Sequence, residues 1–323
     1  MPKMRLLQLS LKVAVSIGLV TYLVQITQKD QLIEKFRTLS PGFVFFAWFY
    51  YTFCQLLSAY RWQLFLSVKG INVPLTKLFS FYMVGMFLNN FIPGAVGGDV
   101  VKAYDLYKST QQAEIAVTSV FLERFTGLVG LGIVAVVAAL FGFQKVQSPL
   151  IWFLVISTAL FLVSVIFCIW HDGLSNRCVG LLRRLMPSQV GEKFEKFHLA
   201  LHSYKFHTRT MLLAVLLSVF LQILFAFYYV ITAKALHINL DIFYFILFLP
   251  IVTIVTMLPL SIGGLGIREA CLVLLFAQVN IASADILSIS LSVHVINTVL
   301  SLWGAIILLI RKPVSAGSMT TLL

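Results

Sequence analysis

The sequence predicts an all-α polytopic membrane protein, built as two inverted-topology repeats with six full spans plus two re-entrant (or paired half-length) helical hairpins. Three observations predict it. Of 323 residues, 60% are hydrophobic and 11% charged, and the mean hydropathy is +0.96, which excludes a water-soluble globule on surface grounds. Apolar runs of about 18 residues or more recur, each long enough at ~1.5 Å per residue to cross a ~30 Å hydrocarbon core. Finally, the pattern P-x3-G-G-x3-[KR] occurs twice, as "PGAVGGDVVK" (Pro93 to Lys102) and "PLSIGGLGIR" (Pro259 to Arg268), in strongly apolar surroundings. Strand-like alternation in ~10-residue units is absent, which argues against a β-barrel.

The first apolar run, Val13 to Ile26, follows Lys3, Arg5 and Lys12 and resembles a secretory signal. No small-x-small cleavage site closes it, so it reads as a retained span over 7–27. The remaining full spans are predicted at 41–66, 115–142, 149–170, 210–233 and 286–310, and the repeated motif falls in hairpins at 75–110 and 241–282. Residues 1–148 then form the first repeat. Residues 149–323 form the second and include the cytoplasmic loop 171–209.

Charge sets the orientation, because Lys and Arg accumulate in cytoplasmic loops. With both termini cytoplasmic, 17 of the 24 cations fall inside and 5 outside (Lys29, Lys35, Arg37, Lys145, Lys234), leaving Arg124 and Arg268 at membrane depth. The opposite orientation inverts that ratio. The chain therefore reads as a multi-pass membrane protein with both termini cytoplasmic.

The return arm of the first hairpin carries Asp99, Lys102, Asp105 and Lys108 within ten residues. Such an arm cannot face lipid and is expected to dip into the protein interior. Both arms of the second hairpin are apolar enough to span fully, so re-entrant and spanning forms stay open there. Either way the two halves read as one unit used twice, upside down, a pattern that puts a substrate site at the repeat interface. "GINVPL" (Gly70 to Leu75) and "HINLDI" (His237 to Ile242) precede the two hairpins at nearly equal distance.

The motif residues have a chemistry of their own. Pro93 and Pro259 break the helix and serve as structural turns, and Gly97, Gly98, Gly263 and Gly264 permit tight backbone. A helix starting there offers unpaired N–H donors and a partial positive charge suited to phosphate. Lys102 and Arg268, four residues on, add a full charge and are expected to converge on one anionic group. A lone copy would equally describe a hairpin turn with a snorkelling cation; the second copy in opposite orientation favours a site. Arg124 joins them as a third cation, and Asp99, Glu123 and Glu269 are the acidic members of the substrate-binding set, each costly at membrane depth. Asn89, Asn90, His294 and Asn297 are expected to bond between helices.

In the loop 171–209, Val179, Leu182, Leu185 and Met186 interleave with Arg183 and Arg184, reading either as an amphipathic elbow on an anionic leaflet or as a solvated basic loop. His198, His202 and His207 lack acidic or cysteine partners at ligand spacing, and Cys54, Cys168, Cys178 and Cys271 form no CxxC pair, so neither a metal nor a disulfide is expected. No nucleotide-binding, GxSxG or HExxH motif occurs. No cofactor, no catalytic residue, no enzymatic activity and no nucleic-acid partner are therefore expected.

At "NNFIPGAVGGDVVKAY" (Asn89 to Tyr104), "LERFTGL" (Leu122 to Leu128) and "LPLSIGGLGIREA" (Leu258 to Ala270), the chain resembles the lysylphosphatidylglycerol synthase transmembrane-region, or flippase-like, family. The likeness runs over nearly the whole chain and extends to the N-terminal flippase half of the multiple peptide resistance factor. It implies lipid transport in cell-envelope assembly, with an anionic or aminoacylated phospholipid or a lipid-linked sugar as substrate. No soluble aminoacyltransferase half follows the last span, so synthesis of lysylphosphatidylglycerol is not expected. Two other roles stay open: a non-catalytic scaffold or partner of a lipid-modifying glycosyltransferase or other lipid-synthesising enzyme, and a membrane-embedded lipid transferase using Glu123 or Glu269 as base.

Overall fold

The computed structural model describes residues 18–19, 21–25, 29–90, 97–142, 148–170, 201, 203–204, 207–257, 261 and 263–310. Pro93, Pro259, most of the 7–27 span and most of the 171–209 loop lie outside these residues. Among them the secondary structure is helical, with no strand. In chain order the helices are α1 (Lys29–Arg37), α2 (Pro41–Val68), α3 (Leu75–Asn89), α4 (Gly97–Thr110), α5 (Ala113–Gly142), α6 (Pro149–Trp170), α7 (Thr208–Ala235), α8 (Ile242–Met257), α9 (Ile267–Ala277) and α10 (Ser283–Ile310).

Length separates these helices into two groups. Among the described residues, Pro41–Val68, Ala113–Phe141, Thr208–Ala235 and Ser283–Ile310 are long and apolar enough to cross a bilayer, and they match four of the predicted spans. The fifth, at 149–170, is helical throughout as α6, with its described apolar stretch at Trp152–Phe161. Helices α3, α4, α8 and α9 have 15, 14, 16 and 11 residues. Each falls short of the ~20 residues that a crossing needs. Pro250 stands inside α8, a position more readily accepted in a buried membrane helix than in a soluble one.

Large apolar side chains cover the outside: Phe45, Phe49 and Phe53 on α2, Phe153 and Phe161 on α6, and Leu309 on α10 are all exposed. In water that surface would aggregate; in hydrocarbon it is the solvated face.

Helix ends are set by local chemistry. Ser40 and Pro41 open α2, with proline where its missing N–H costs nothing. At the C-terminus, Gly70 adopts φ +69°, and the N–H groups of Gly70 and Ile71 return to Ser67 O and Leu66 O. Helix α7 closes the same way: His237 has φ +57°, and His237 and Ile238 donate to Lys234 O and Ala233 O. Both are Schellman caps with identical bond offsets. Gln111 (φ +59°) directly follows α4, and Asn280 (φ +58°) closes the turn that follows α9.

Helices α2 and α7 run antiparallel: Ser40 N donates to Ala235 O (2.8 Å), the Tyr51 and Tyr228 rings stack with centroids 4.8 Å apart, and Arg61 Nη1 donates to Ser218 Oγ (2.7 Å). Around this pair, α3 packs on α2, α4 and α10, α8 packs on α7, α9 and α5, and α5 and α10 each pack on both α2 and α7. The buried apolar residues form two principal clusters. One gathers Trp62, Leu78, Tyr82, Leu106 and Val120 from α2 to α5 with Leu300 from α10; the other gathers Tyr228, Phe248, Phe276 and Ile289 from α7 to α10 with Ala138 and Ala139 from α5.

Candidate anion-binding cavity

The site is built on α5, where the neighbours Glu123 and Arg124 diverge by about 100° of helix rotation. Glu123 turns inward and is 4% exposed. Its Oε1 accepts from Arg61 Nη2 at 3.0 Å and from Tyr82 Oη, and its Oε2 accepts from Lys102 Nζ at 2.7 Å. Three helices, α2, α3 and α4, are thereby tied to one carboxylate on a fourth.

Arg124 turns the other way and meets Asp99 on α4, its Nε 2.6 Å from Asp99 Oδ2. Lys102, one turn on from Asp99, lies 3.3 Å from the other carboxylate oxygen. Its ammonium also sits over the Tyr82 ring at 4.0 Å and the Trp62 ring at 5.4 Å, a favourable cation–π placement. The order Arg61, Glu123, Lys102, Asp99, Arg124 alternates in sign. Buried charge is tolerated when each ion has opposite partners and hydrogen bonds, and the set still ends one cation in excess.

Gly98 serves packing here. A Cβ on it would meet Gly85 O at 2.3 Å and the Asn89 amide at 2.7 Å, so only glycine lets α3 and α4 approach this closely. Its N–H donates to Asn89 Oδ1 at 2.6 Å, a donor that the sequence reading assigned to an anion. Gly97 opens the same helix and is half-buried.

In the second copy, Gly263, Gly264 and Gly266 adopt φ +58°, +78° and +85°, the left-handed backbone that favours glycine. Arg268 Nη2 donates to Gly263 O at 3.0 Å. Glu269 is fully buried and caps the helix, accepting from Gly266 N at 2.6 Å and Ser290 Oγ at 3.0 Å. Both its oxygens are engaged within the protein.

A cavity of about 450 Å³ lies between these parts, walled by α2, α3, α5, α7, α8, α10 and the Gly263–Arg268 turn. Arg61, Arg124 and Arg268 line it against one carboxylate, Glu123, with Gly263 and Gly264 beside them. Lys102, Asp99, Gly97, Gly98 and Glu269 do not. The two hairpins meet at its edge, where a Cβ on Gly263 would lie 3.7 Å from Asn89 O. Asn90 donates to Ser301 Oγ at 2.9 Å and Asn297 accepts from Tyr228 Oη at 2.9 Å, interhelical bonds as the sequence predicts. His294 also lines the wall.

The expected convergence of Lys102 with Arg268 is thus replaced on the wall by Arg61 and Arg124 with Arg268. The reason is spacing: Lys102 stands three residues after Asp99 and faces Glu123, so two carboxylates absorb its ammonium. Arg61 was missed, since the charge count places it with the cytoplasmic cations. Its position inside the predicted span 41–66 was the available signal, because an arginine there is subject to the same cost as Arg124.

Among known proteins, the chain is 23% identical over 290 residues to a UPF0104 membrane protein of Methanothermobacter thermautotrophicus, covering 84% of each chain. It is 22% identical over 309 residues to one from Methanocaldococcus jannaschii, covering 88% of this chain and 89% of the relative. A third, from Pyrococcus horikoshii, is 24% identical over 196 residues, 58% of each. The model of the lysylphosphatidylglycerol synthase TM region matches residues 9–304, and with that match over nearly its whole length the chain belongs to this family of membrane proteins.

Proposed function

We propose that the protein is a membrane lipid translocase that carries an anionic headgroup through the cavity between two inverted repeats. The observation that carries this reading is the cavity itself, about 450 Å³, lined by three guanidinium groups against one carboxylate that is already bonded to Arg61, Tyr82 and Lys102. An unassisted charged headgroup in hydrocarbon faces a barrier that, at about 20 kcal/mol, permits only ~10⁻² crossings per second. A polar cleft at membrane depth replaces the lost hydration and lowers that barrier.

The repeat reading has support from helix ends and packing. The Schellman caps at Gly70 and His237 share their bond offsets, and the arms α4 and α9 are each followed by a positive-φ residue. Exchanging α2 with α7, α3 with α8, α4 with α9 and α5 with α10 maps each substantial packing pair among these helices onto another. The equivalent helices α2 and α7 run antiparallel, as inversion requires. In such folds the two halves rock around a fixed site to expose it alternately. The half-length arms then enter from opposite faces, and both termini lie on the cytoplasmic side of the plasma membrane.

The test is leaflet exchange in liposomes containing labelled phospholipids, with wild-type protein, Arg268→Ala and empty vesicles. Exchange well above empty liposomes, lost in Arg268→Ala, is the expected result. Wild-type rates equal to empty vesicles for anionic, zwitterionic and aminoacylated lipids alike would end the translocase reading.

A further inference from the structure

The geometry points to a specific headgroup class for this cavity: a phosphate bearing an uncharged polyol or sugar, with headgroups that carry an ammonium rejected. The inference rests on the translocase reading for its site and concerns the headgroup alone.

Charge decides the first part. Among the described residues the wall holds Arg61, Arg124 and Arg268 against Glu123 alone. Glu123 has its charge shared among Arg61, Tyr82 and Lys102, and Asp99, off the wall, is held by Arg124 and Lys102. An aminoacyl ammonium entering here would meet three fixed cations and no carboxylate free to pair with it. Between fixed charges held inside a protein that repulsion is weakly screened.

Donor supply favours a phosphate. Of the five N–H donors that Arg268 carries, one is bonded among the described residues, to Gly263 O. A guanidinium with donors in reserve suits the tetrahedral oxygens of a phosphate diester.

The rest of the polar wall is neutral. Thr253, Thr256 and Thr298 line the cavity, and each donates its hydroxyl proton to a carbonyl of its own helix. Their oxygens are left as acceptors for O–H groups, and Gln222 adds an amide of both polarities. Glycerol and hexose hydroxyls match this wall, whether they come from a glycerophospholipid or from a glycosyl phosphate on an isoprenoid chain.

Native mass spectrometry of the purified full-length protein in detergent tests this with four probes: short-chain phosphatidylglycerol, an isoprenyl mannosyl phosphate, lysyl-phosphatidylglycerol and inorganic phosphate. Expected is a preference of about tenfold or more, ~1.4 kcal/mol, for the first or the second over the lysyl lipid, and which of the two leads identifies the source. Arg268→Gln is expected to lower binding of both about tenfold, and Gln222→Glu, which adds a wall carboxylate, to raise relative binding of the lysyl lipid. Equal or tighter binding of the lysyl lipid by wild type overturns the inference, as does inorganic phosphate competing as well as either lipid. Parallel exchange assays separate the two claims: selective binding without exchange sinks the translocase and leaves the headgroup class standing. Exchange that favours the lysyl lipid does the reverse.

Discussion

Lys102 Nζ lies 2.7 Å from Glu123 Oε2, joining the return arm of the first hairpin to the middle of α5 in a setting where both residues are about 4% exposed. Lys102 holds the fold off the cavity wall while Arg268 lies on it, and that difference can be measured.

Removing one partner strands a buried charge. Glu123→Ala is expected to destabilise the protein by about 3–5 kcal/mol, because Arg61, Lys102 and Tyr82 lose a common acceptor. Thermal unfolding in detergent checks this, and the double variant Lys102→Met/Glu123→Met should recover part of the loss. A double variant as unstable as the sum of the singles would show that the two residues act independently.

Arg268→Ala is expected to behave differently. Among the described residues its side chain makes one hydrogen bond, to Gly263 O, so the unfolding midpoint should stay close to wild type while lipid exchange falls about tenfold or more, the loss of a charge-assisted contact worth ~1.5–3 kcal/mol. A large fall in the midpoint would reassign Arg268 to the structural set.

Gly98→Ala forces a methyl group to within 2.3 Å of Gly85 O. Backbone cannot yield as a side chain can, so α3 and α4 must separate, at an expected cost of about 1–3 kcal/mol. Limited proteolysis at the hairpin should accelerate accordingly. Unchanged proteolysis and midpoint would mean the close crossing is absent.

Glu269→Gln keeps the size of the side chain but weakens the bond to Gly266 N, 2.6 Å in the native protein. Loss of such a helix cap costs about 0.5–2 kcal/mol. Hydrogen exchange read by mass spectrometry should show faster exchange at Gly266–Ala270 with little change in α2. Protection as strong as wild type would argue that the cap contributes nothing.

The sequence by itself determined the helical membrane class, four of the long spans and the doubled proline–glycine motif. These follow from local terms: run length against bilayer thickness, proline and glycine against helix propensity, and the cost of charge in hydrocarbon. It also identified Arg124 and Arg268 as interior cations and Asn89, Asn90 and Asn297 as interhelical links. Only the tertiary structure decided which charges pair. Arg61 and Ser218 are 157 residues apart in sequence and 2.7 Å apart in space, and no spacing rule reaches across that interval. Lys102 and Glu123 are linked through the packing of α4 on α5, while Gly98 and Gly85 let α3 and α4 touch. An ammonium four residues beyond a glycine pair reads as a ligand for an anion until its neighbours are placed; then the carboxylates already present are the nearer anions, and of the three arginines on the cavity wall Arg61 and Arg124 are held by them as well.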